Sequence, residues 1–78
     1  MPTIFRLLGF RFFFYSNEGK EPPHVHFERG DAEGKYWLDP LEEDYMQGFT
    51  KSEEKQARKI IDDHQEKFKN DWHDHFKS

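Results

Sequence analysis

The chain contains no cysteine, which excludes both a disulfide framework and a thiolate metal site. It also lacks any apolar run near the roughly 18 residues that a membrane helix needs. The opening Met1-Pro2-Thr3-Ile4-Phe5-Arg6-Leu7-Leu8-Gly9 has no apolar stretch of signal-peptide length. Together these absences fit a reducing, cytoplasmic setting with no membrane attachment. Positive charge is scarce too. Lys and Arg number 12 against 16 Asp and Glu, for a formal charge of −4. Residues 1–39 carry −1 and residues 40–78 carry −3, so neither half is a basic patch. Nucleic-acid binding depends on neutralising phosphates with Lys and Arg, and is therefore not favoured. There is no Gly-rich phosphate loop, no His-Glu-x-x-His and no nucleophile elbow. Asp62-Asp63 and Glu42-Glu43-Asp44 lack the spacing of a calcium loop and read as solvated acidic runs.

What the chain does have is aromatic rings, 18% of its 78 residues. That length makes one domain over residues 1–78, close to the size at which burial of apolar surface becomes marginal. A buried ring removes about 150–250 Å² from water, so a few of them compensate for only 33% hydrophobic residues. Thr3 to Leu8 is β-prone, Gly9 interrupts it, and Phe10 to Tyr15 resumes as an aromatic strand. Alternation places Phe10, Phe12 and Phe14 on one face and Arg11, Phe13 and Tyr15 on the other. Residues 16–23 are dense in turn formers and read as an exposed loop. His24 to Arg29 and Lys35 to Asp39 form a hairpin around Gly30-Asp31. Leu41 to Gln47 is either a fifth short strand or an irregular lead-in.

At Thr50 the period changes. Thr50 with Glu53 matches a capping box, and Ala57, Ile60, Ile61, Phe68, Trp72 and Phe76 follow on one helical stripe. The spacing predicts a single helix of about seven turns. The expected architecture is α+β, a small antiparallel sheet of four to five strands followed by one long C-terminal helix. One helix covers one sheet face, yet the second strand carries rings on both. Either a partner covers Phe13 and Tyr15, or Phe12 and its neighbours, or the sheet curls and its loops fill the second face.

The chemistry concentrates in Pro22-Pro23-His24-Val25-His26, followed by Glu28. The prolines enforce an extended entry. Strand geometry then puts His24, His26 and Glu28 on one face, with Val25 and Phe27 against the helix. The two histidine Cβ atoms lie about 6.5–7 Å apart, which suits convergence on one metal ion or acid–base action on one substrate. A metal centre wants a third ligand, and none is evident on that face. No metal or other cofactor is therefore expected. His64 falls on the buried stripe of the helix between Ile61 and Phe68, where burial demands a carbonyl or carboxylate partner. It meets the strand histidines only if the strand phase is off by one residue. His75 falls near the stripe, and His73 points to solvent.

From Pro22-Pro23-His24-Val25-His26, the Gly30 turn, His64 and Asn70-Asp71-Trp72, the chain resembles the bacterial family called domain of unknown function 4160. The similarity runs over essentially the whole length, from Met1-Pro2-Thr3-Ile4 to the late Trp, and its Pro-Pro-His-x-His element is the specific part. Asn-Asp-Trp here stands where the family more often has Asn directly before Trp, and the acidic approach to the helix is longer. Matched position by position, the shared residues are Pro22, Pro23, His24, His26, Gly30, His64 and Trp72. The resemblance implies a protein often encoded beside a second small protein. Some such pairs look like toxin–antitoxin modules with this domain on the toxin side. It brings no reaction and no substrate.

Two readings follow. One is a toxin-like interaction protein that docks a small cognate partner, or a second copy of itself, through Phe12, Phe13 and Tyr15. The other is a small hydrolase or ribonuclease. In it His24 and His26 act as general acid and base, Glu28 and His64 are further candidates, and Arg29 or Lys35 steadies a phosphate. A basic cleft around the histidines favours the enzyme, and a flat apolar rim favours docking.

Overall fold

The computed structural model describes residues 3–77. Met1, Pro2 and Ser78 lie outside them, and with them the first two residues of the opening motif. Five strands run in chain order: β1 (Thr3–Leu7), β2 (Phe10–Phe13), β3 (His24–Arg29), β4 (Ala32–Leu38) and β5 (Leu41–Gln47). Each pairs antiparallel with its sequence neighbours, giving a five-stranded meander in the order β1-β2-β3-β4-β5. Leu41–Gln47 is thus a strand. β2 ends before Tyr15, and β4 begins at Ala32, three residues earlier than the β-prone stretch suggests.

The β1–β2 connection is a two-residue hairpin at Leu8-Gly9. Both residues have positive φ, 53° and 84°, as the twist of a tight hairpin requires. Glycine adopts this freely, whereas leucine does so under strain.

The expected single helix is two. Helix α1 spans Lys51–Asp63 and α2 spans Gln65–Phe76, with His64 between them at φ −116° and ψ 19°. The cause is local. The Ile60 carbonyl accepts both the His64 backbone N–H, at 3.0 Å, and the His64 Nδ1–H, at 2.8 Å. A side chain entering the backbone ladder in this way bends a helix. The interruption lasts one residue, so Phe68 and Trp72 stay on the stripe of Ala57, Ile60 and Ile61. At the start of α1 the capping box is present in full. Thr50 accepts from the Glu53 N–H at 3.1 Å, and Glu53 accepts from the Thr50 N–H at 2.8 Å.

Both helices lie on the sheet face that carries Phe10, Phe12, Phe14, Val25, Phe27 and Leu38. These side chains join Ala57, Ile60, Ile61, Phe68 and Trp72 in one buried core. Val25 and Phe27 are fully buried there, in the phase that their alternation predicts.

Neither α-helix covers the opposite face, yet Phe13 is only 5% exposed. The Arg11 guanidinium sits 4.6 Å above its ring, His26 stacks on it at 5.8 Å and Tyr15 meets it edge-on at 5.3 Å. Of the two alternatives, self-covering holds for Phe12 and Phe13, with side chains of the neighbouring strands doing most of the covering that loops were expected to do. Phe12 lies in the core, and Phe13 is shielded by the flat faces of polar neighbours. Tyr15 alone of the three docking candidates reaches solvent, at 36%. No helix among the described residues is long and apolar enough to cross a membrane.

Candidate functional site

The chain after β2 turns back through a short 3-10 helix, Ser16–Glu18. The Glu18 N–H donates to the Tyr15 carbonyl and the Glu21 N–H donates to the Glu18 carbonyl. Pro22 and Pro23 then straighten the backbone into β3, where the Leu38 N–H donates to the Pro23 carbonyl at 3.0 Å. This path hangs the Glu18 side chain over the first half of β3.

There Glu18 meets both strand histidines. Its Oε1 lies 2.9 Å from His24 Nε2 and 2.7 Å from His26 Nε2. The two imidazoles are 5.2 Å apart and nearly perpendicular, at 82°. Their side chains are 0% and 9% exposed, and that of Glu18 is 18% exposed. His24 is buried because Trp37, its cross-strand partner, packs at 5.2 Å and Trp72 of α2 packs at 4.8 Å. His26 is covered by Phe13 and by Tyr15, whose ring stands 4.5 Å away. The face shared by the two histidines is therefore a nearly closed one.

His24 makes one further bond. Its Nδ1 lies 2.9 Å from the Pro22 carbonyl oxygen. That oxygen only accepts, so Nδ1 carries a hydrogen toward it, and Nε2 is the nitrogen turned to Glu18.

Charge at the site follows from burial and pairing. Burial pushes the Glu18 carboxyl up, but its hydrogen bonds and charge interactions with His24 and His26 outweigh this and hold it below the ordinary glutamate value. Burial pushes the His26 imidazole down by more than the Glu18 carboxylate restores, and His24 and Lys35 lower it further. The two partners thus move in ways that disagree about the pair, since the stabilised carboxylate faces a histidine that resists charge. A ring as enclosed as His26 loses more hydration than one shared carboxylate oxygen returns. Glu18 ionised with His26 neutral is the state that the packing favours near neutral pH.

The structure does not gather the remaining candidates at this point. Glu28 is on the His26 face but pairs with Arg11 at 2.6 Å, at the far end of the β2–β3 ladder. Arg29 lies on the helix side, bonded to Glu53 at 3.0 Å with its guanidinium over Phe10. His64 stays at the helix junction, bonded to the Ile60 carbonyl and 4.7 Å from the Phe5 ring. Lys35 is the exception. It stands directly across from His26 in the β3–β4 ladder, bonds Glu21 at 3.2 Å and lies over Trp37 at 4.4 Å. Glu18 is the residue that sequence reasoning missed. It sits six positions before His24 in a loop, and no strand or helix period reaches it.

The sequence profile of a family described as "Domain of unknown function (DUF4160)" matches residues 9–73, which takes in the Glu18 turn, both strand histidines, His64 and Trp72. The chain belongs to the DUF4160 family. Searches of curated proteins and of solved structures found no match. What this DUF4160 domain offers chemically is a carboxylate and two imidazole nitrogens converging in a nearly closed space, flanked on the open side by Tyr15 and Lys35.

Proposed function

We propose that this DUF4160 domain is an interaction protein that docks a small cognate partner on the sheet face away from its two α-helices. The observation that carries the reading is the set of rings reaching solvent there. Tyr15 and Tyr45 are 36% and 37% exposed, and Trp37 is half-buried beside them. Tyr and Trp provide rigid contact area at low entropic cost, which is why binding energy concentrates on them at interfaces. Glu18, Glu33 and Asp44 all act on the Tyr45 hydroxyl, which burial first and then these charges push above the ordinary tyrosine value. A partner with Lys or Arg at its contact surface complements this ring of carboxylates and the chain's overall charge of −4.

The family resemblance makes the neighbouring gene product the partner to try, with a toxin-like role for this chain as part of the same proposal. The His-dependent hydrolase or ribonuclease is the alternative and is less well supported. Both Nε2 atoms are engaged by Glu18, and Lys35, the cation beside them, is paired with Glu21 and Asp44 rather than free for an RNA backbone.

Sedimentation of the purified chain, alone and with its neighbouring gene product, tests the docking reading. Tyr45→Ala is expected to weaken the complex by about 2 kcal/mol while the monomer stays folded. A strict monomer that also fails to bind that neighbour would remove the reading and leave the hydrolase to be assayed.

A further inference from the structure

We infer that Glu18, His24 and His26 form a binding site for a single divalent transition-metal ion of the zinc, cobalt or nickel class. The three donor atoms lie within 4.8 Å of one another. Bond lengths of about 2.0–2.2 Å at tetrahedral angles place ligand atoms about 3.3–3.5 Å apart. The present spacings of 2.9 and 2.7 Å from Glu18 Oε1 to the two Nε2 atoms need to open by only about half an ångström. Glu18 can make that adjustment, because it rides on a short turn rather than on a paired strand.

The orientation of His24 adds to this. Its Nδ1 faces the Pro22 carbonyl oxygen at 2.9 Å, which turns Nε2 toward Glu18 and makes that nitrogen the one that can face a cation. The same Nδ1–H to backbone carbonyl bond is the arrangement that orients and polarises metal-bound histidines.

Two imidazoles with one carboxylate suit borderline cations, whereas calcium and magnesium take all-oxygen sets. Three protein ligands leave one coordination position for water or a partner group, and the partly exposed edge of Glu18 gives the ion an entry path. The site does not depend on the docking reading, because it is complete within one chain.

The test titrates the chelator-treated wild-type chain with cobalt(II) and then zinc(II), reading the cobalt d–d absorption and the histidine ¹⁵N shifts. One equivalent of cobalt is expected to give a tetrahedral spectrum that zinc displaces. Zinc should move the Nε2 resonances of His24 and His26 and leave His24 Nδ1 protonated. Magnesium should move none of them. Glu18→Gln keeps the side-chain volume and a hydrogen-bonding group, and should weaken zinc binding at least tenfold while circular dichroism shows the fold intact. Three outcomes would overturn the site: no binding at 100 µM zinc, shifts confined to His73 and His75, or unchanged affinity in Glu18→Gln. The wild-type spectra decide the matter even where a histidine variant fails to fold.

Discussion

The tip of the Phe27 ring reaches over Gly34, its partner across the β3–β4 ladder, and fills the space where a side chain would begin. A Cβ at Gly34 would stand 2.5 Å from Phe27 Cζ and 2.9 Å from the Tyr45 carbonyl oxygen. The pair behaves as one packing unit: the glycine has no side chain, and the phenylalanine occupies both positions. Gly34→Ala should therefore destabilise by about 1–3 kcal/mol through overpacking. Phe27→Ala, which empties a fully buried ring, should cost about 3–5 kcal/mol. Chemical denaturation midpoints check both. An unchanged midpoint in Phe27→Ala would mean that β3 is placed in the wrong phase.

Acid should loosen the metal-free protein in two stages. His26 and Glu18 both have folded-state values below their ordinary ones of 6.5 and 4.5. A group depressed by folding contributes its stability in full above its unfolded value and loses it as pH falls toward the folded value. The His26 contribution thus begins to fade below pH 6.5, and that of Glu18 below pH 4.5. Thermal melts in chelator should show stability falling from neutral pH downward, with the upper stage missing in His26→Gln. A wild type that gained stability relative to that variant between neutral pH and pH 5.5 would show His26 to be charged in the fold.

Leu8 holds a left-handed conformation in the β1–β2 hairpin and is 58% exposed. Left-handed backbone costs a branched side chain about 1–2 kcal/mol, and asparagine tolerates it better. Leu8→Asn is expected to raise the melting temperature, by an amount equivalent to about 1 kcal/mol or less. A fall would mean that what remains buried of the Leu8 side chain outweighs the backbone strain.

How much of this was readable beforehand differs by element, for physical reasons. Thr50 and Glu53 announce the helix start because a capping box is local in sequence. β3 could be read residue by residue because two prolines and strict alternation determine its phase. The break at His64 leaves no trace in the apolar stripe, since a single non-helical residue hardly rotates Phe68 and Trp72 relative to Ile61. It depends on which way one imidazole turns. The cover over Phe13 escapes any count of apolar groups, because Arg11 and His26 shield it with flat polar side chains. Glu18 reaches His24 and His26 only through the fold of the Ser16–Glu18 turn, so half of the histidine site was visible and its carboxylate was not.

The two outer strands of the meander differ in a way that bears on self-assembly. β5 carries Glu42, Glu43 and Asp44 in succession, all exposed, and a charged edge resists the addition of another strand. β1 has Thr3, Ile4, Phe5 and Leu7 with Arg6 as its only charge. Of the two edges, β1 is the one less guarded by charge. Two copies joined along β1 would present acidic β5 edges at both outer ends, so such a pairing would stop at two chains and would not propagate into a fibre.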